Sequence, residues 1–295
     1  MIKYNPKNWF GLIFHSYSRQ VVKTLMPFLM IMVIYTAVLT FLIEDYFKLD
    51  FHSTTVVHSL LGIVLGLFLV FRVNSAYDRW YEGRKLWGLL LNNSRNLASK
   101  LNAMISAENE KDRKFFQEMI PAFAFALKDH LRKGVKIKQL GITDEEINKQ
   151  LEKKEHIPNA ITSLIYQRLN QLLAEGKLTP NQFLVLDKEM KEFSDILGGC
   201  ERIKNTPIPY SYSMFIKKFI FTYTVTLPLA FISEFHYITI PIVIFVFFIL
   251  VSVELIAEEI EEPFGGDTND LPTNELSEKI EKNVKELFEK DFSIK

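Results

Sequence analysis

Along the chain, charge vanishes from some stretches and crowds into others, and the uncharged stretches set the first expectations. Residues 24–43, between Lys23 and Glu44, carry no charged side chain, and neither do residues 51–71, between Asp50 and Arg72. Each reaches the roughly 20 apolar residues that a membrane-spanning helix requires. Residues 237–253 form a third such block, rich in Ile, Val and Phe, with Pro241 near its start, where a missing amide costs least. A fourth block, 219–233, is short for a full crossing, but Lys217 and Lys218 before it can bury their stems and keep their charges at the interface. The pattern predicts an all-α integral membrane protein with four transmembrane helices.

Lys and Arg near the span ends predict the orientation. Lys3, Lys7, Arg19 and Lys23 precede the first span, and Arg72, Arg79, Arg84, Lys85 and Arg95 follow the second. The connection from Glu44 to Asp50 holds one Lys, and the turn around Glu234 holds none. Both termini are therefore expected in the cytoplasm, with the protein in the cell (inner) membrane. The first span is too long for a cleaved leader and runs into Ile43-Glu44-Asp45 rather than a small-residue cleavage pattern.

The expected organisation is a cytosolic N-terminal segment (1–23), two spans (24–73), a helical cytosolic domain (74–211), two further spans (212–257) and a cytosolic C-terminal segment (258–295). The central stretch is charged and too long to be a loop. Within it Phe183, Leu186, Met190, Phe193 and Leu197 recur at helical spacing, the stripe of a helix packed on its neighbours. Phe115, Phe116, Met119, Phe123, Ala126, Leu127 and His130 predict another helix, kinked or interrupted near Pro121, with His130 a satisfied core or surface histidine. The tail after Asp267 is polar and charge-rich, and partial mobility is expected of it.

Chemistry narrows the function by exclusion. Thirty-five basic residues balance thirty-five acidic ones, and no Lys/Arg run is long enough to track phosphates, so nucleic acid is not an expected partner. The single cysteine, Cys200, excludes an internal disulfide and reads as a buried small apolar residue. No paired histidines at metal spacing, Gly-rich phosphate loop or activated Ser or Cys motif points to an enzyme. In the second block Ile63, Leu67 and Phe71 are spaced by four and share a helix face, with Gly62 and Gly66 beside it. Two readings fit: apolar side chains facing lipid, or a narrow ring of identical helices brought close by small residues.

The flank of that span reads Phe71-Arg72-Val73-Asn74-Ser75-Ala76-Tyr77-Asp78-Arg79-Trp80-Tyr81-Glu82-Gly83-Arg84-Lys85-Leu86-Trp87-Gly88, then Asn92-Asn93-Ser94-Arg95. Two further stretches follow in order, Cys200-Glu201-Arg202-Ile203-Lys204-Asn205-Thr206-Pro207-Ile208-Pro209-Tyr210 and Glu262-Pro263-Phe264-Gly265. Together they resemble the bestrophin family in its bacterial and plant-organelle branch, over nearly the whole chain. The resemblance implies a homopentameric channel for small monovalent ions, in which five second spans surround the pore. It implies a neck of apolar rings at Ile63, Leu67 and Phe71, and an apolar cytosolic aperture for which Leu184, off the Phe183 to Leu197 stripe, is the candidate. A hydrophobic neck is expected to gate by dewetting. Arg79, Trp80, Glu82, Arg84 and Trp87 are expected to serve structure through ion pairs and ring packing.

Animal bestrophins gate with calcium held in an acidic loop after an Asn-Pro-Phe-Gly stretch, and the matching positions here are Glu259, Glu262, Asp267 and Asp270. Oxygen ligands for a hard cation are partly present. Glu262 replaces the usual Asn, however, and Gly266, Thr268 and Asn269 dilute the acidic run. The preferred reading is a solvated acidic helix end before a turn at Gly265-Gly266, with a weak calcium-type site as the alternative and no other cofactor expected. The family includes chloride-conducting and monovalent-cation-conducting members. Glu44, Asp45 and Asp50 at the outer mouth favour cations, and Lys and Arg inside favour anions. A secondary transporter of a small ion or solute is the rival class, but buried mid-span charges are missing, with only His52 and His58 near the outer end of the second span.

Overall fold

A computed structural model describes residues 16–48 and 55–289, with the backbone alone for 16–20. Lys3, Lys7, Asp50 and His52, the start of the second predicted span and the side chain of Arg19 lie outside the described residues. The described chain is helical, with no strand among those residues. In chain order the helices are α1 (Ser16–Phe41, continued by a wide turn Leu42–Tyr46), α2 (Thr55–Met104), α3 (Glu110–His130), α4 (Glu145–Glu152), α5 (Ile157–Ala174), α6 (Pro180–Asn205), α7 (Tyr210–Phe235), α8 (Thr239–Glu261) and α9 (Thr273–Phe288). They form two compact units, one drawn from residues 1–79, 207–261 and 267–269, the other from 80–206, 262–266 and 270–295.

The first unit holds α1, residues 55–79 of α2, and α7 and α8. Among the described residues, three helical stretches are long and apolar enough to cross a membrane: Val21–Tyr46, Thr55–Met104 and Tyr210–Glu261, the last being α7 and α8 joined by a tight turn at His236–Ile238. Large apolar side chains point outward from this unit, among them Phe28, Ile31, Ile34, Phe221 and Phe245. A water-soluble surface does not carry so much contiguous apolar area, whereas lipid demands it. Inside, Leu65, Leu69, Ile216 and Ile220 pack together, and Met32, Leu227 and Val243 form a second cluster. Tyr35 donates to the Val225 carbonyl (2.9 Å) and His58 Nε2 meets Thr226 Oγ1 (3.1 Å), so the rare polar atoms are used to tie helices together.

The block 219–233, short by its own length, lies within α7, a 26-residue helix. The uncharged window ended at Lys217 and Lys218, but Lys217 is paired with Glu258 of α8, so its charge does not end the helix.

The second unit is built on Trp87, Phe116, Met119, Phe123, Phe193 and their neighbours. Leu186, Met190, Phe193 and Leu197 are buried, with Phe183 partly buried beside them, as the α6 stripe predicts. Thr179 and Gln182 start α6 with a reciprocal cap, the Thr179 amide donating to Gln182 Oε1 (2.8 Å) and the Gln182 amide to Thr179 Oγ1 (3.3 Å). Two expectations are corrected. Pro121 does not interrupt α3, which runs unbroken because packing on α5 and α9 holds it through the missing amide. The tail after Asp267 is not a mobile segment over its described length: α9 buries Thr273, Ser277, Ile280, Val284 and Phe288 on one face against α3.

Candidate functional site

On α2 the side chains of Ile63, Leu67 and Phe71 are 65%, 57% and 63% exposed, while Leu65, Leu69, Arg72 and Ala76 on the reverse side are buried. The helix therefore presents an apolar edge left largely uncovered by the described residues of its own chain. One turn further on the same face turns polar at Asn74, Ser75 and Asp78. Gly62 sits where a Cβ would lie 2.8 Å from Tyr223 Oη of α7, so its missing side chain makes room for a neighbour in the same chain; Gly66 has open space.

Arg72, next to Phe71, is only 1% exposed. Its Nη2 lies 2.7 Å from Glu261 Oε2 and its Nε donates to Glu254 Oε1 at 3.4 Å, both on α8. Glu261 is shared further, its Oε1 accepting from the Ile208 amide (2.9 Å) and its carbonyl from Arg79 Nε (3.1 Å). Two carboxylates facing one guanidinium out of water make this pair costly to break from one side. The charge pattern shows Arg72 as an interfacial flank; its partners, 182 and 189 positions away, give no local signal.

The three stretches that carry the resemblance meet in the second unit. Glu82 pairs with Arg202, a Cβ at Gly83 would fall 3.1 Å from Phe264 Cε1, and a Cβ at Gly199 would fall 2.9 Å from Leu86 Cδ1. Arg132 Nε donates to the Phe264 carbonyl (2.9 Å), Arg84 lies over the Trp80 ring and Trp87 is wholly buried. Cys200 is buried among them, and burial, followed by the charges of Glu201 and Glu82, pushes its thiol up to about 12. It stays protonated at physiological pH, as a small apolar residue should.

Leu184, 66% exposed, stands near the start of α6 away from the packed stripe. The four acidic positions do separate work. Glu259 Oε1 accepts from the Asn269 amide (3.1 Å), Glu262 and Asp267 are exposed, and Asp270 is buried beside Gly265. Among the described residues, three metal-ligating side chains converge elsewhere, at His130, His156 and Glu201.

The chain matches the family model described as Bacterial/Fungal Bestrophin protein over residues 1–286. It is 30% identical to the voltage-dependent anion channel-forming protein YneE of Salmonella typhi, covering 100% of this chain and 97% of that one. The voltage-dependent anion channel-forming protein sll1024 of Synechocystis is 33% identical, over 77% of this chain and 76% of that one. A crystal structure of a bacterial bestrophin homologue from Klebsiella pneumoniae superposes with a TM-score of 0.83 at 31% identity, covering 88% of this chain and 97% of that chain.

Proposed function

This chain belongs to the bestrophin family and is an ion channel, and we propose that it works as a homopentamer whose five copies of α2 enclose the pore. The supporting observation is the edge of Ile63, Leu67 and Phe71, exposed while the reverse face of the helix is buried in its own chain. Fivefold repetition would close that edge into three stacked apolar rings. Narrow apolar rings hold no continuous water, so an ion cannot shed its shell to pass; a small widening wets the neck and allows conduction. Leu184 forms a second apolar ring on the cytosolic side.

Four crossings follow from α1, α2, α7 and α8, with both termini in the cytoplasm of a cell membrane, a reading supported by the Lys and Arg flanking the spans. The permeant species are small monovalent ions. The neck carries no charge to set their sign, and one feature favours anions: the relatives named above are called anion channel-forming proteins. At the outer end, Glu44 is held by His236 Nδ1 (2.6 Å) and Asp45 by the Tyr237 hydroxyl, contacts that fix both carboxylates in place. The exposure of Glu262 and Asp267 supports reading the acidic segment after α8 as a helix end and turn rather than a calcium gate, although Asp270 is buried and not solvated.

Planar-bilayer recording of the purified protein tests the proposal. Unitary currents far above transporter turnover are expected, with a reversal potential displaced toward the chloride equilibrium potential across a KCl gradient. Solute-coupled flux without unitary events would overturn the channel, and displacement toward potassium would overturn the sign.

A further inference from the structure

His130 closes α3, His156 caps α5 and Glu201 lies on α6, residues separated by 26 and 45 positions that three helices bring to one point. His130 Nε2 and His156 Nε2 each lie 2.7 Å from the same oxygen, Glu201 Oε1, and the three atoms all fall within 4.8 Å of one another. The imidazole rings stand 4.6 Å apart, inclined by 39°. All three side chains are partly buried, and His130 lines an open cleft of about 610 Å³ together with Glu152, Glu155, Lys136, Lys138 and Lys154. Lys204 Nζ donates to the His130 carbonyl (2.7 Å) and Arg202 pairs with Glu82, so the cations next to Glu201 on α6 are directed elsewhere.

We propose that His130, His156 and Glu201 form a binding site for a divalent transition-metal ion of the zinc class. Two imidazoles and one carboxylate suit zinc and its neighbours rather than magnesium or calcium, which take oxygen sets. Zinc bonds of about 2.0–2.1 Å at tetrahedral angles hold ligand atoms about 3.3 Å apart, so each His–Glu separation must open by about 0.6 Å. The three ligands leave a fourth position, which water completes. His156 Nδ1 accepts the Asn159 amide at 3.3 Å, which places the ring proton on Nε2, donating to Glu201. Metal binding at Nε2 moves that proton to Nδ1 and releases the long cap bond at the start of α5. The ion thus ties α3, α5 and α6 together through their ends, and the site stands whether or not the protein conducts.

The test uses full-length protein in detergent, stripped with a chelator and titrated with ZnCl2 against a chromophoric competitor. One zinc per chain is expected, together with a thermal midpoint that rises with zinc concentration. The double variant His130→Gln/His156→Asn, in which Asn keeps the capping role, should bind zinc at least about tenfold more weakly. Glu201→Gln, which keeps a carbonyl acceptor, should also weaken binding. CaCl2 and MgCl2 should give no midpoint shift. Wild-type protein that takes up no zinc, or a double variant of unchanged helix content that binds it as tightly, overturns the site.

Discussion

Gly83 and Gly88 lie on the same helix, five positions apart, and their environments differ in a way that gives opposite signs to one substitution. Replacing a helical Gly by Ala removes backbone freedom from the unfolded chain and stabilises by about 1 kcal/mol where nothing else changes. At Gly88 a new Cβ meets no atom of its own chain within 4 Å, so Gly88→Ala should show that gain. At Gly83 the Cβ would lie 3.1 Å from Phe264 Cε1 and 3.2 Å from Leu271 Cδ1, closer than ordinary contact, with both neighbours buried. Overpacking of that kind costs about 1–3 kcal/mol, which offsets or exceeds the propensity gain. The two variants should therefore differ by about 1–3 kcal/mol, with Gly83→Ala the less stable. Thermal unfolding of the detergent-solubilised protein, followed by helical circular dichroism, measures the difference, each kcal/mol moving the midpoint by about 2–4 °C for domains of this size. Gly83→Ala as stable as Gly88→Ala, or more so, would refute the close approach of Phe264 and Leu271.

Three further outcomes are expected. Arg72→Met should destabilise by about 3–5 kcal/mol, because the carboxylates of Glu254 and Glu261 lose their shared cation; adding Glu254→Gln and Glu261→Gln should restore much of the midpoint, and a single variant as stable as wild type would count against the pair. Leu67→Ala or Phe71→Ala should raise conductance in planar bilayers by widening and wetting the neck, with Leu184→Ala raising it by less; unchanged currents in all three would sink the neck assignment. Tyr166 has its phenol raised to about 12 by burial, then by its hydrogen bond to Asp187 and the charge of Asp187. Because the folded value lies above the unfolded one of about 10, the stabilisation is present in full below pH 10 and fades as pH rises toward 12; that loss should be absent from the unfolding midpoints of Tyr166→Phe.

What the sequence disclosed follows from the range of the forces involved. A bilayer excludes charge over some twenty consecutive residues, so the spans are local features and could be read directly. The length of α7 could not, because Lys217 is neutralised by Glu258, 41 positions away on another helix. The exposed edge of Ile63, Leu67 and Phe71 was visible as a period of four, but which side chains cover the reverse face was not. Thr273, Ser277, Ile280, Val284 and Phe288 already stood at helical spacing, and the surrounding charge obscured them. His130, His156 and Glu201 share no motif spacing at all, since the ends of three helices create their meeting.

Neighbouring residues on a helix point about 100° apart around its axis, so the clamp on Arg72 also fixes the azimuth of Phe71. Twisting α2 alone, enough to swing the Phe71 ring out of a lumen, would pull the guanidinium off both Glu254 and Glu261. If Ile63, Leu67 and Phe71 form the proposed neck, its dilation comes either from α2 and α8 tilting as one rigid strut or from rotamer changes at Leu67 and Phe71 over a stationary backbone. A disulfide stapling α2 to α8 sets both apart from an axial twist, since it spares the tilt and the rotamer change but leaves a twist of α2 with no room to occur.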